Sequence, residues 1–370
     1  VDAYTWLYNK IASLEITPGQ LALEPCSAGA VVSDPNTGEV LACVSYPGYD
    51  NNRLANTMDS AYYRQLNTGL ARTFYNRATQ EKTAPGSTYK MVSSVAALTE
   101  GIINGNSTYY CDGIFTDVTP SPRCWNRSGH GSLNVVRALQ VSCNEFFYNV
   151  GYDLGLDANG NYDSDLGIEK LAKYAAMFGL NEKSGVEIPE TSPEISDQYA
   201  VQSAIGQGTN NYTVSQLNRY VAAVANRGTV YDLSLIDKTT DSSGKLIKDY
   251  EPEVVNTIDE VSSTTWDLVH EGMVRMVENS STFTSLDMSI AGKTGTAQQS
   301  ETSPDHALFV GFAPSDTPEI AVAVRIANGY NSSYPSEIGR DIVKIYFGLE
   351  DANELITGQA AELGQAMAGD

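Results

Sequence analysis

Three short motifs place hydroxyl, amine and carboxamide side chains where acyl-transfer chemistry would want them. Ser87-Thr88-Tyr89-Lys90 sets a hydroxyl and an amine three residues apart. At a helix start, that spacing brings both to one face. A serine hydroxyl is a weak nucleophile at neutral pH and needs an adjoining base. A lysine can serve if desolvation or a second cation keeps it neutral. The unpaired N–H groups of a helix start also favour a developing oxyanion. Alone the pattern says little, because Ser242-Ser243-Gly244-Lys245 repeats it in what reads as a turn.

Ser142-Cys143-Asn144 falls inside an apolar run that reads as one helix from Leu133 to Tyr152, where Ser and Asn are unusual without a reason. A second hydroxyl can relay a proton to a departing amine, and an Asn can grip a peptide amide. Ser132-Leu133-Asn134 repeats this pattern and reads as a helix cap. Lys293-Thr294-Gly295-Thr296 is the sharpest motif. Gly295 lets a strand backbone approach a ligand closely, Lys293 adds positive charge, and Thr296 offers a hydroxyl and an N–H to a carboxylate or oxyanion. The bland alternative is an edge strand with a glycine bulge. The conjunction decides: Ser-x-x-Lys at a helix start, then Ser-x-Asn, then Lys-Thr-Gly on a late strand is the ordered signature of serine β-lactamases and penicillin-binding proteins.

Cys111, Cys124, His130 and Cys143 form the one Cys/His cluster in the sequence. Three thiolates and an imidazole make a complete tetrahedral set for structural zinc. If Ser142 and Asn144 face a cleft, Cys143 points away beneath its wall, and a metal there would pin the 104–132 loop. The alternatives are a Cys111–Cys124 disulfide, suited to an oxidising exterior, with His130 a surface residue and Cys143 a buried thiol, or simply free thiols. Cys26 and Cys43 read as structural.

The elements that must carry these groups follow from periodicity. Strands are expected at 28–33 and 39–45, joined by the turn Asp34-Pro35-Asn36-Thr37-Gly38. Residues 46–82 read as loop-rich. A helix opens at Pro85-Gly86-Ser87 and closes at Gly101. Further helices are expected near 168–178, 213–226, 262–279 and 335–347. Thr229 to Ile236 and the segment after Gly244 read as a small hairpin. Strands at 307–312 and 319–325 follow the one carrying Lys293. Two strands early, three late and helices between predict an α+β fold: one antiparallel five-stranded sheet built from both chain ends and flanked by helices.

The chain has 370 residues, a globular 42% hydrophobic content and a net charge of -22 from 23 basic and 45 acidic residues. Such a surface repels phosphate backbones, so no nucleic-acid partner is expected. No run reaches the roughly 18–20 apolar residues that span a bilayer, and the amino terminus does not read as a secretory signal.

The resemblance is wider than the motifs. Residues 30–42, Ala84-Pro85-Gly86-Ser87-Thr88-Tyr89-Lys90, Ile205-Gly206-Gln207-Gly208, Ala225-Asn226-Arg227-Gly228 and residues 306–314 resemble class B penicillin-binding proteins. Cys124-Trp125-Asn126-Arg127 with Gly129-His130-Gly131 is similar to the elongation (rod-shape) and sporulation members. The resemblance implies domain bounds of 28–349, with residues 1–27 a remnant of a preceding pedestal and linker and 350–370 a polar tail. It implies a D,D-transpeptidase acting on D-Ala-D-Ala stem peptides, acylated by β-lactams, needing no cofactor for catalysis. Ser87 is then the nucleophile, Lys90 the base assisted by Lys293, Ser142 the proton relay and Asn144 an amide ligand. Thr294, Gly295 and Thr296 line the carboxylate and oxyanion side. Metal ligands at matching places in some elongation-type relatives resemble the Cys/His set here. A membrane-embedded glycan polymerase is the implied partner, and the extracytoplasmic face of the bacterial membrane, with an amino-terminal anchor, the implied location. The rivals are a β-lactamase, for which no convincing deacylating Glu motif stands between Ser142 and Lys293 although Glu169, Glu182, Glu187 and Glu190 occur there, a D,D-carboxypeptidase, and a catalytically dead cell-wall scaffold, which predicts a broken motif where none is broken.

Overall fold

A computed structural model describes residues 2–13, 15–16, 27–298 and 304–355. Apolar alternation at both chain ends produces a single antiparallel sheet. Its strands are Ala28–Ser33 (β1), Val40–Tyr46 (β2), Ala291–Ala297 (β3), His306–Ala313 (β4) and Ile320–Ile326 (β5), in the spatial order β2-β1-β5-β4-β3. All of β4 and nearly all of β5 are buried on both faces, which explains their unbroken apolar runs. Leu308, Val310 and Phe312 face the main core with Ala321 and Ala323, whereas Phe309, Val322 and Val324 face a second layer.

Helices fill both layers. Lys90–Thr99 (α1) continues a tight 3-10 turn, Gly86–Tyr89, and Val135–Gln140 (α2) is followed by Asn144–Leu154 (α3). Val214–Ala225 (α4) lies against β1 and β5, with all 12 residues buried. A helix buried on every side belongs to the core, and a Thr213/Gln216 capping box starts it. Its polar Asn218 is paired rather than wasted: Nδ2 donates to the Val31 and Ala321 carbonyls at 3.0 Å each, and Oδ1 accepts from Ser33 Oγ at 2.6 Å. Ser263–Glu278 (α5) buries the expected stripe of Trp266, Val269, Met273 and Val277. It packs on α2 and β3. Ser333–Tyr346 (α6) covers the outer face, with Val343 in the second layer.

Four expectations change. The helix expected from Leu133 to Tyr152 is two helices, because Ser142 adopts a left-handed φ of 52° and ends the first. Asn134 caps α2, its side chain accepting from Arg137 N at 3.0 Å. Thr229–Tyr231 pairs not with the segment after Gly244 but with Val254–Thr257. The hairpin is Lys238–Thr240 with Leu246–Asp249, turned by Gly244 at φ 83°. The loop-rich 46–82 segment contains a helix, Ser60–Thr68, that buries none of its residues and is capped by the Asp59 side chain. Within the irregular 104–132 stretch, Tyr109–Cys111 begins a short ladder with Gly131–Leu133 that sets Cys111 opposite Gly131. Cys43 lies on β2 as a free thiol, and Cys26 is outside the described residues. Among the described residues no helix is long and apolar enough to cross a membrane.

Asn218→Ala would strand the Ser33 hydroxyl and two strand carbonyls in the core. A loss of about 3 kcal/mol in denaturant-unfolding stability is expected. A loss below about 1 kcal/mol would show that Asn218 does not staple β1 to β5.

Candidate active site

The Ser87 turn is wedged between two backbones, and glycines make that possible. Gly86 has φ 52°, and a Cβ there would stand 2.2 Å from the Thr296 carbonyl oxygen of β3. On the other side Gly206, at φ 76°, donates no side chain, and a Cβ on it would meet the Gly86 oxygen at 2.1 Å. Gly86 N–H bonds the Gly206 carbonyl at 3.0 Å. Gly295 leaves similar room for Thr88 and Pro85. Thr88 Oγ1 closes the turn onto the Pro85 carbonyl at 2.7 Å, and the Tyr220 hydroxyl of α4 reaches the Thr88 carbonyl at 3.2 Å. Ser87 is 8% exposed.

β3 is the sheet's edge. Its register sets Lys293 opposite Val310 and Gly295 opposite Leu308, so both face the helical layer that holds those core residues. Thr294 and Thr296 alternate with them and are half-buried.

Lys90 and Lys293 are each 0% exposed, and they meet at one hydroxyl. Lys90 Nζ donates to Ser142 Oγ at 3.2 Å, to the Ser142 carbonyl at 2.9 Å and to Asn144 Oδ1 at 2.7 Å. Lys293 Nζ donates to the same Ser142 Oγ at 3.0 Å and to the Thr294 carbonyl at 3.0 Å. Ser142 occupies its position through a left-handed backbone, which costs a non-glycine residue about 1–2 kcal/mol. Cys143 caps α3, its sulfur accepting from Phe146 N at 3.4 Å. The break between α2 and α3 therefore turns Ser142 and Asn144 towards Lys90 and Cys143 towards the opposite side.

On that side, Cys111, Cys124, His130 and Cys143 bring all their ligand atoms within 4.8 Å of one another. His130 Nδ1 is 3.5 Å from Cys111 Sγ and 3.6 Å from Cys124 Sγ, and Cys124 Sγ is 3.9 Å from Cys143 Sγ. The four described cysteines are free, so the Cys111–Cys124 disulfide is not formed. Hydrogen-bond donation from Cys143, followed by burial that opposes it and by help from His130, pulls the Cys124 thiol down to about 3. The same coupling pushes Cys143 up, and burial pushes Cys111 up to about 11. The cluster is thus already disposed to hold a thiolate.

Two supporting residues escape the motif reading. Buried Glu145 accepts from the N–H groups of Asp112 (3.3 Å) and Gly113 (2.7 Å), clamping the Cys111 loop to α3. Its signal was a lone acid ahead of Phe146-Phe147. Trp125 donates its indole N–H to the carbonyls of Val141 (3.2 Å) and Ser142 (3.1 Å). The four glutamates named in the sequence analysis are engaged elsewhere or exposed. Glu190 accepts from Ser184 and Ser215, Glu182 pairs with Arg219, Glu187 holds Ser234, and Glu169 points to solvent.

Residues 28–344 match the family model described as the penicillin binding protein transpeptidase domain. The chain is 29% identical over 362 residues to the peptidoglycan D,D-transpeptidase MrdA of Haemophilus influenzae, covering 88% of this chain and 53% of the relative. It is 28% identical over 333 residues to stage V sporulation protein D of Bacillus subtilis, covering 86% and 48%. The chain thus spans about half the length of these relatives. Among solved structures, Pseudomonas aeruginosa PBP2 in complex with WCK 5153 superposes with a TM-score of 0.74 at 28% identity, covering 90% of this chain and 76% of that one. A peptidoglycan synthase complex coordinating polymerization and crosslinking gives a TM-score of 0.77 at 26% identity, covering 88% and 56%.

Gly86→Ala would drive a methyl group into the Thr296 carbonyl and force the Ser87 turn off β3. Labelling of Ser87 by a fluorescent penicillin should slow by more than about 100-fold while the circular dichroism spectrum stays unchanged. Labelling within about threefold of the unaltered protein would show that this close approach does not position Ser87.

Proposed function

Since the chain belongs to the penicillin-binding protein transpeptidase family, in its class B branch, we propose that it is a serine D,D-transpeptidase that cross-links peptidoglycan. The observation that carries this reading is the meeting of Lys90 and Lys293 on the Ser142 hydroxyl, beside the buried Ser87 turn. Ser87 Oγ attacks the penultimate D-Ala carbonyl of a stem peptide, and Lys90 takes its proton. As a neutral amine Lys90 has two N–H donors and a lone pair. It can therefore keep two hydrogen bonds while the lone pair serves as base. The N–H groups of Ser87 and Thr296 hold the oxyanion, Ser142 hands the proton to the departing D-Ala amine, and Asn144 binds the acyl-side amide. Lys293, Thr294 and Thr296 meet the terminal carboxylate, with Gly295 giving the substrate backbone room. An amine from a neighbouring stem then attacks the acyl-enzyme, forming the new amide and freeing Ser87. A β-lactam follows the same first step and stops at the ester.

The Cys/His set fits a structural zinc. Tetrahedral coordination with Zn–S near 2.3 Å and Zn–N near 2.0 Å puts sulfurs about 3.8 Å apart and sulfur and nitrogen about 3.5 Å apart, against 3.9, 3.5 and 3.6 Å here. Cys111, Cys124, Cys143 and His130 through Nδ1 would hold it, and it would tie the Cys111 loop to the turn carrying Ser142. The expected setting is the extracytoplasmic membrane face, in company with a glycan polymerase. The likeness to a synthase complex that joins polymerization to crosslinking supports that partner.

A fluorescent penicillin should label the protein covalently, and Ser87→Ala should abolish the label. With a D-Ala-D-Ala donor and an amine acceptor, mass spectrometry should find cross-linked product exceeding hydrolysed product. Hydrolysis alone would make the protein a carboxypeptidase, and labelling that survives in Ser87→Ala would refute the nucleophile. Elemental analysis should find about one zinc per chain, lost in Cys143→Ser. Less than about 0.3 zinc per chain in the unaltered protein would refute the metal.

A further inference from the structure

The Ser142 turn is held from both sides, and the second side belongs to a residue outside all three motifs. Trp125 follows Cys124 directly, and its ring stands edge-on to His130 with centroids 5.0 Å apart. Its indole N–H points the other way, towards the carbonyls of Val141 and Ser142. The Ser142 carbonyl therefore receives two donors, Trp125 Nε1 at 3.1 Å and Lys90 Nζ at 2.9 Å. A carbonyl oxygen has two lone pairs, so the two donors fill it. Trp125 is 37% exposed and does not owe its place to the core.

We propose that Trp125 is a positioning residue for acylation, fixing the left-handed Ser142 turn and, through the shared carbonyl, the site of the Lys90 amine. The proposal rests on the acyl-transfer reading above. Two facts make the turn worth holding. Ser142 is a β-substituted residue at φ 52°, so a turn without external bonds would relax towards a right-handed geometry. Its hydroxyl must also stay within reach of both lysine amines, and rotation of the peptide plane would carry it off one or the other. The indole is suited to this task because it has one donor, no acceptor and a rigid ring. The edge contact with His130 aligns that ring, so order in the Cys/His cluster reaches the reacting groups through it.

The test isolates the N–H. Trp125 is replaced by phenylalanine (W125F) and, by site-specific incorporation, by 3-benzothienylalanine, which keeps the bicyclic shape with sulfur in place of N–H. Stopped-flow measurement with a fluorescent penicillin separates the acylation rate constant from the dissociation constant of the initial complex. Both variants should acylate about tenfold more slowly, with initial binding within about twofold, as expected when one hydrogen bond that acts on the transition state is removed. Their metal content should equal that of the unaltered protein, whatever that content is. Benzothienylalanine acylating at the original rate would overturn the proposal by showing that ring shape suffices. A loss confined to initial binding would overturn it by making the ring a ligand contact, and a parallel loss of metal would overturn it by making the effect the cluster's. Ser87→Ala, run alongside, tests the acyl-transfer reading separately: label surviving there sinks that reading, whereas a label that vanishes leaves the Trp125 result to stand alone.

Discussion

Two buried lysine amines share one hydroxyl, and the rest of the molecule is arranged to make that tolerable. Burying a charge is costly unless every donor finds an acceptor. Lys90 is met by the Ser142 carbonyl and hydroxyl and by Asn144, and Lys293 by the Ser142 hydroxyl and the Thr294 carbonyl. Such neutral oxygens stabilise a proton without locking it as a carboxylate would. That is what a group needs if it is to give and take a proton within one turnover.

Three separate parts of the chain must arrive together for this contact to exist. α1 brings Lys90, the α2–α3 break brings Ser142 and Asn144, and the edge strand β3 brings Lys293. Their relative positions are fixed by backbone contacts closer than any side chain would allow. Gly86 lies under Thr296, Gly206 lies under Gly86, and Gly272 of α5 lets Leu139 of α2 approach. Close backbone packing is stiff, and stiffness is what sub-ångström placement requires. The wholly buried α4 backs the Ser87 turn through Tyr220 and staples β1 to β5 through Asn218. The sheet centre and the Ser87 turn thus lean on the same helix.

The Cys/His cluster works on the least secure piece, the strained turn at Ser142. Cys143 is at once a cluster member and the cap of α3, and Glu145 on the same helix draws in the loop that carries Cys111. A segment of more than twenty residues with little regular structure is in this way tied to a single helix end. Small irregular regions that cannot build an apolar core are commonly ordered by such cross-links.

Much of this was legible from the amino-acid order. Patterns with short period or fixed spacing can be read locally, which is why the five core strands, the α5 stripe, the Ser87–Lys90 pair and the Lys293 motif stand out in the sequence. The joining of early and late strands into one sheet followed from layer rules and apolar runs. Other features depend on partners far away in the chain. The break at Ser142 has no glycine or proline to announce it, because tertiary bonds from Lys90, Lys293 and Trp125 compensate a backbone that local propensity disfavours. Strand pairing around residues 229–257 depended on which neighbour came closest, not on alternation. The helix at Ser60–Thr68 buries none of its residues, so no core contact singles it out from its loop-rich surroundings. Sequence alone determined which groups could react; folding decided that they share one hydroxyl, because only packing can set distances between residues more than fifty positions apart.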